Sequence, residues 1–100
     1  MAVTEIVRMY ANEGQGDGLQ SALEGAVHLL TEHPENLGVV VLRQIEDPDT
    51  FILNVRWTSV EAHKGWVASD ARASWRETLA AHRADRPADV AHYETFVEQT

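Results

Sequence analysis

The sequence predicts an α+β fold in which strands and helices follow the order βαββαβ. Two segments, Val3–Tyr10 and Thr50–Trp57, have side chains that alternate in the manner of β-strands. Two further stretches carry apolar residues at helical spacing. Turn-forming residues lie between these elements. Because this order is typical of the ferredoxin-like arrangement, we expect one antiparallel sheet packed against helices.

The first predicted strand has apolar side chains on both faces, which are Val3, Val7 and Met9 on one and Ile6 and Tyr10 on the other. Two partly apolar faces indicate a strand that is covered on both sides. The glycine-rich segment 12–18 then predicts a turn. We predict a helix after it, with Asp17 as its N-cap and an end near His33, because Pro34 disfavours helical geometry in the residue before it.

The residues Gly38–Ile45 and Thr50–Trp57 predict a hairpin, since the segment 47–49 between them has turn chemistry. One face of the second strand carries Phe51, Leu53, Val55 and Trp57. The other face carries Asn54 and Arg56, which we expect to line a wet cavity or the rim of an interface.

A second helical region follows, and the segment 58–61 fits a capping box at its start, which explains Glu61 without catalysis. We predict a bend either at Gly65 or at 68–70. Beyond the bend the side chains form two stripes, Ala71, Trp75, Leu79 and His82 in one and Arg72, Arg76 and Arg83 in the other. After a loop at 85–89, Val90–Val97 is the last predicted strand.

The composition limits the class of protein. One hundred residues with 44% apolar content predict a single domain, residues 1–100, with little apolar area to spare. The formal charge of -8 repels nucleic acid and anionic membranes, so neither is an expected partner. The absence of cysteine excludes a disulfide scaffold and thiolate catalysis. With no basic region before an apolar run, and no run of ~18 apolar residues, we expect a cytoplasmic protein.

The segment Arg56–His63 reads RWTSVEAH and opens a helix that carries Trp66, Trp75 and Arg76. It resembles the Trp-x-Ser-x-Glu-Ala-[His/Tyr] pattern that ends the third strand in the antibiotic biosynthesis monooxygenase family. The resemblance implies a homodimer that forms a dimeric α+β barrel. It also implies several activities: some members oxidise polyketide anthrones or quinols with molecular oxygen and without metal or flavin, others degrade haem, and many have no established activity.

The resemblance assigns candidate site residues. In members that oxidise anthrones, a Trp at the strand end, a residue six positions later and an Arg in the second helix line the pocket. Trp57, His63 and Arg76 occupy the matching positions, the Arg after a one-residue gap. Such members also carry an Asn on the third strand. Asn54 is close to that position, but it points to the face opposite Trp57.

The haem-degrading branch matches less well. Trp66 corresponds to a Trp of that branch, but Arg76 stands where its His would be, and Val7 stands where its Asn would be. We therefore do not expect haem breakdown, because no axial ligand is in place. The five histidines are dispersed without metal-ligand spacing, so neither a metal nor another cofactor is predicted.

The first functional hypothesis is a cofactor-independent monooxygenase that acts with molecular oxygen on an electron-rich phenol, anthrone or quinol. His63 would remove or relay a proton, and Arg76 would stabilise the developing oxyanion. Trp57 and Trp66 would shape a flat, dry pocket that binds the substrate, and Asn54 would at most orient it.

Purely structural roles suit the same residues. Trp57 can simply close the core, His63 can pair with a carboxylate, and Arg76 can form a surface ion pair with Glu77 or Glu61. A second hypothesis is therefore a non-catalytic dimer that binds a small aromatic ligand or serves as an accessory protein. A third is an isomerase or cyclase, since the scaffold also hosts reactions that need only proton transfer.

Overall fold

A computed structural model describes residues 2–100 and contains a four-stranded antiparallel sheet packed against helices. The elements in chain order are β1 (Val3–Tyr10), α1 (Gly16–Ala26), α2 (His28–Thr31), β2 (Asn36–Arg43), β3 (Thr50–Trp57), α3 (Val60–Val67), α4 (Asp70–Leu79) and β4 (Asp89–Tyr93). The strands lie side by side in the order β2-β3-β1-β4. The predicted ferredoxin-like fold is confirmed, with each predicted helical region divided into two helices.

The core lies between the helices and one face of the sheet. The register of β1 against β3 places Val7 opposite Leu53 and Met9 opposite Phe51, so their buried side chains form one apolar layer. Leu19, Leu23, Ala26, Leu30, Trp66, Trp75 and Leu79 cover this layer from the helices. Within residues 2–100, no helix is long and apolar enough to cross a membrane.

The start of α1 differs from the prediction. The N-cap of α1 is Gln15 and not Asp17. Asp17 lies in the first turn, where its carboxylate accepts a hydrogen bond from Arg43 over 2.9 Å. The backbone N–H of Gly16 instead donates to the carboxylate of Asp49 over 2.9 Å. A side chain at Gly16 would overlap the Pro48 carbonyl oxygen, 2.2 Å from an added Cβ. Close approach of the hairpin turn therefore determines where α1 begins.

The last strand is shorter than predicted and ends at Tyr93 instead of Val97. Its register against β1 pairs Tyr93 with Thr4, and β1 begins one residue earlier, at Val3. The backbone beyond Tyr93 consequently has no partner strand in this chain. The predicted strand Gly38–Ile45 is likewise shifted towards the amino terminus, because the hairpin turn already begins after Arg43.

The second helical region bends at 68–70, the second of the two predicted positions. Ser69 is the N-cap of α4, and Gly65 lies within α3. The cap of α3 is Ser59, whose hydroxyl accepts from the backbone N–H of Ala62 over 3.0 Å. Thr58 instead donates to Glu35, so the predicted capping box between Thr58 and Glu61 does not form.

The β2–β3 turn generates a prediction for pH dependence. The Thr50 hydroxyl donates to Asp47 over 2.7 Å, and this bond, together with the Asp49 backbone N–H, lowers the pKa of Asp47 below 3.8. A carboxyl whose pKa is lowered by folding stabilises the fold above its ordinary pKa, and this contribution is lost as pH falls through the folded value. In Thr50→Val the pKa of Asp47 should rise towards 3.8, as measured by a carbon NMR titration. Thr78→Val should leave it unchanged; an unchanged value in Thr50→Val would contradict the assignment.

Candidate active site

A pocket of about 160 Å³ opens between the sheet and the two helices α3 and α4. Its apolar lining comes mainly from Val7, Met9, Leu30, Leu53, Val55, Trp66 and Trp75, and its polar lining from Glu5, His63, Arg72, Arg76 and Arg83. An engineered apolar cavity of ~150 Å³ holds a benzene molecule. The pocket therefore has room for one aromatic ring, and larger molecules must extend through its opening.

Two tryptophans meet at the wall of the pocket. The bend between α3 and α4 brings Trp66 and Trp75 together edge to face, with ring centroids 6.1 Å apart. Trp66 is held in place because its indole Nε1 donates to the Leu29 carbonyl oxygen over 2.9 Å. Edge-to-face contacts of this kind fix both rings, so the wall is preformed. Both tryptophans line the pocket.

A buried carboxylate, Glu5, lies beneath His63. One oxygen of Glu5 accepts a hydrogen bond from Nε1 of Trp57 over 3.0 Å, and the other is 3.1 Å from Nε2 of His63. Glu5 is only 6% exposed and His63 8% exposed. An ionised carboxylate accepts hydrogen bonds and cannot donate them. A proton on Nε2 of His63 would give Glu5 a donor at this position, so the buried acid favours the tautomer with the proton on Nε2.

The second ring nitrogen of His63 faces His92. Nδ1 of His63 and Nε2 of His92 are 2.8 Å apart, and His92 lies on β4 directly beside Glu5 in the sheet. With its Nε2 proton directed at Glu5, a neutral His63 accepts at Nδ1; protonated, it donates there. Glu5, His63 and His92 thus form a hydrogen-bonded chain from the core to an exposed strand. A proton can pass along such a chain.

Glu5, His63 and His92 are not arranged as a set of metal ligands. The two nitrogens of the His63 ring point away from each other, one to Glu5 and one to His92. Their lone pairs cannot converge on a single ion. Across the described part of the chain, no group of three His, Asp or Glu side chains is placed to hold a metal ion.

Three arginines, Arg72, Arg76 and Arg83, form the positive side of the pocket. None of them forms an ion pair with a carboxylate within residues 2–100. Burial lowers the pKa of Arg83, and the charges of Arg76 and Arg72 lower it further. The guanidinium groups therefore repel one another across the pocket opening, and an anion placed between them would be stabilised.

The structure brings three of the five predicted site residues to the pocket: His63, Trp66 and Arg76. Trp57 does not line it. That side chain is fully buried and stacks against His63 with ring centroids 5.5 Å apart, so it supports the histidine from behind. Asn54 lies on the opposite face of the sheet, between Ile6 and Val40, and does not reach the pocket.

Four residues at or beside the pocket were not among the predicted site residues: Glu5, Arg72 and Arg83 line it, and His92 contacts His63. Glu5 carried a signal, because it is the one acidic residue on a strand face otherwise occupied by Val3, Val7 and Met9. A charge at a buried position of that kind requires a partner. His92 carried no comparable signal, since only the strand register places it beside Glu5.

Fold and site together define a small α+β protein whose sheet supports a ring-sized pocket with a histidine chain on one side and arginines on the other. The sequence profile described as antibiotic biosynthesis monooxygenase matches residues 2–78. The chain therefore belongs to the antibiotic biosynthesis monooxygenase family, as its resemblance to that family predicted. No curated protein matched the chain.

Several solved structures share the fold. A Bordetella bronchiseptica protein assigned to the antibiotic biosynthesis monooxygenases superposes with a TM-score of 0.89 at 23% identity, covering 96% of this chain and 98% of that one. SnoaB, a cofactor-independent oxygenase from Streptomyces nogalater, gives a TM-score of 0.81 at 16% identity over 99% and 95% of the two chains. Rv0793 from Mycobacterium tuberculosis gives 0.79 at 15% identity, with both chains fully covered. At these identities the likeness establishes the fold alone.

The contact between Glu5 and His63 predicts a tautomer. In the wild-type protein at neutral pH, the neutral form of His63 should carry its proton on Nε2. In Glu5→Gln the side-chain amide can donate to that nitrogen, and the proton should move to Nδ1. Nitrogen NMR of labelled histidine distinguishes the two forms. Glu61→Gln, which removes an exposed acid, should leave the tautomer unchanged; an Nδ1-protonated neutral His63 in the wild type would refute the assignment.

Proposed function

We propose that this protein is a cofactor-independent monooxygenase that oxidises an electron-rich phenol, quinol or anthrone with molecular oxygen. The observation that carries the proposal is the position of His63, which faces a ring-sized apolar pocket while a buried carboxylate holds its Nε2 proton. Family membership supports a monooxygenase, and the pocket supports an aromatic substrate.

His63 accepts the substrate proton at Nδ1. Glu5 holds the opposite nitrogen and stabilises the imidazolium that forms, as a carboxylate does beside a catalytic histidine base. His92 occupies Nδ1 in the free protein, and because it lies on an exposed strand it can yield that position to a substrate hydroxyl or a water molecule. His92 then returns the proton to solvent.

The deprotonated aromatic reduces oxygen itself. Electron transfer from the substrate anion to O₂ and recombination form a carbon–oxygen bond and a peroxide anion, which takes a proton from solvent to become a hydroperoxide. Loss of water from the hydroperoxide leaves a carbonyl, so one oxygen atom enters the product and the other leaves as water. The protein supplies the proton transfers and the electrostatic environment, and the substrate supplies the electrons.

Arg76 stabilises the anion that forms when the proton leaves. Its guanidinium carries the positive charge and lies at the pocket, on the same helix as Trp75. Trp66 and Trp75 hold the ring, and Trp57 positions Glu5. The cavity volume of about 160 Å³ favours a phenol or quinol as the enclosed ring. An anthrone would leave its other rings outside.

A binding function is the second candidate, and one observation favours it. Both nitrogens of His63 already have partners, so the free protein offers no unoccupied base to a ligand. A non-catalytic protein would bind an aromatic molecule in the same pocket without consuming oxygen. The two candidates therefore differ in oxygen uptake and not in ligand affinity.

We further propose that the protein functions as a homodimer. The sheet face away from the helices exposes the apolar side chains of Val40, Leu42 and Tyr93, which are 50 to 55% exposed. They lie on the face that also carries Ile6 and Asn54. Burial of such a face against a second copy would remove apolar surface from water on both chains.

Oxygen consumption tests the catalytic proposal. Wild-type protein treated with a chelator should consume oxygen with at least one member of a panel of phenols, quinols and anthrones, and labelled O₂ should add one labelled atom to the product. His63→Ala should lower the rate about 100-fold or more, because general base catalysis is lost. Arg76→Ala should lower it by a similar factor, because the oxyanion is no longer stabilised.

His28→Ala is the matched control, since His28 is an exposed histidine on α2 outside the pocket. This variant should retain the wild-type rate. No uptake across the panel, or unchanged rates in both pocket variants, would contradict the monooxygenase proposal. Binding of a panel member without uptake would support the binding function instead.

The oligomeric state has its own test. Sedimentation at micromolar concentration should give twice the monomer mass for the wild-type protein, and Val40→Glu should shift the population to monomer because it places a charge on the sheet face. Ile45→Glu is the control, since Ile45 is 91% exposed in the hairpin loop and not on that face. A wild-type protein that sediments as a monomer would contradict the dimer.

A further inference from the structure

Arg72 and Arg76 lie on α4, and Arg83 follows that helix after it ends at Leu79. None of the three forms an ion pair within residues 2–100, and Arg72 lies over the Trp66 ring, 6.0 Å from its centroid. Arg72 and Arg76 are four residues apart, a spacing at which like charges destabilise a helix. No Asp or Glu stands three or four residues from any of the three arginines. The chain has 16 acidic residues against eight lysines and arginines, so acids for pairing are plentiful elsewhere.

The other lining residues do not neutralise this charge. Glu5 is the one acid among the residues that line the pocket. One of its oxygens accepts a hydrogen bond from Trp57, and the other is 3.1 Å from Nε2 of His63. Arg83 is only partly exposed, and repulsion from the other two guanidinium groups adds to the cost of its burial. The pocket thus combines an apolar chamber with uncompensated positive charge.

We infer that Arg72 and Arg83 bind a carboxylate carried by the aromatic substrate, so that the ligand class is an aromatic acid. Guanidinium groups match a carboxylate in charge and in planar, two-pronged geometry. The ring lies between Trp66 and the sheet, and its acidic group lies at the arginines. The inference rests on the proposed function in one respect, that this pocket is the substrate site, and it does not depend on oxygen chemistry.

Binding without oxygen tests the ligand class directly. Under anaerobic conditions, 2,5-dihydroxybenzoate and its uncharged amide are titrated into the protein, and the fluorescence of the pocket tryptophans or the heat of binding gives Kd. The acid should bind about tenfold or more tightly than the amide, as expected for hydrogen bonds to a charged group. Raising the salt from about 0.05 to 0.5 M should weaken the binding of the acid and leave the binding of the amide nearly unchanged.

Variants separate the arginines from general electrostatics. Arg72→Gln/Arg83→Gln should bring the two Kd values within about twofold of each other. Lys64→Gln, which removes an exposed charge from α3 outside the pocket lining, should preserve the wild-type preference. The comparison of acid with amide and the salt titration use only the wild-type chain, so they test the ligand class even if the double variant does not fold.

The inference is overturned if the acid and the amide bind equally, if neither binds at millimolar concentration, or if the double variant retains the preference for the acid. Oxygen uptake is measured separately in air. Preferential binding of the acid, with no oxygen uptake by it or by any member of the phenol, quinol and anthrone panel, would support the carboxylate site and contradict the monooxygenase. Oxygen uptake with neutral phenols and no preference for binding the acid would support the monooxygenase and contradict the carboxylate site.

Discussion

The buried carboxylate of Glu5 is the interaction on which the site depends. A charge removed from water needs hydrogen-bond donors, or burial costs several kcal/mol. Trp57 and His63 provide those donors from β3 and α3. Satisfying one carboxylate therefore ties the first strand, the third strand and the helix after it into one unit. The orientation of His63 follows from the same requirement, because its Nε2 proton must point at Glu5.

The pocket exists because the helices cover the sheet incompletely. The bend between α3 and α4 turns Trp75 towards Trp66, and a pocket of about 160 Å³ remains between these two rings and the sheet residues Val7 and Leu53. The bend and the two rings thus create a chamber while the sheet supplies its apolar floor. The shape of the pocket and the stability of the core are consequences of the same packing.

The predictability of each element depended on how local its physical cause is. β1 and β3 were predicted with the bounds observed, because alternation along a strand is a local pattern. The start of α1 was not predicted correctly, because the turn at Asp49, more than thirty residues away in the sequence, determines it. Among the predicted residues that line the pocket, His63 came from the motif at 56–63, and Trp66 and Arg76 came from the family's pattern in the helical region that follows it. Pairing across β1 and β4 produces the contact with His92, and no local pattern records a register.

The arginines show why the remaining part of the site was hard to predict. The predicted stripe of Arg72, Arg76 and Arg83 is what a solvent-facing helix surface also looks like. In the structure Arg83 lies beyond the end of α4 at Leu79, and only the fold shows that all three arginines line the pocket. Once placed there, the stripe breaks a local rule, because like charges adjoin without acids in a chain whose net charge is -8. Local rules that a fold breaks without compensation are concentrated at functional sites. The cost in stability is therefore expected to be offset when an anion binds, which makes the free protein the less stable form.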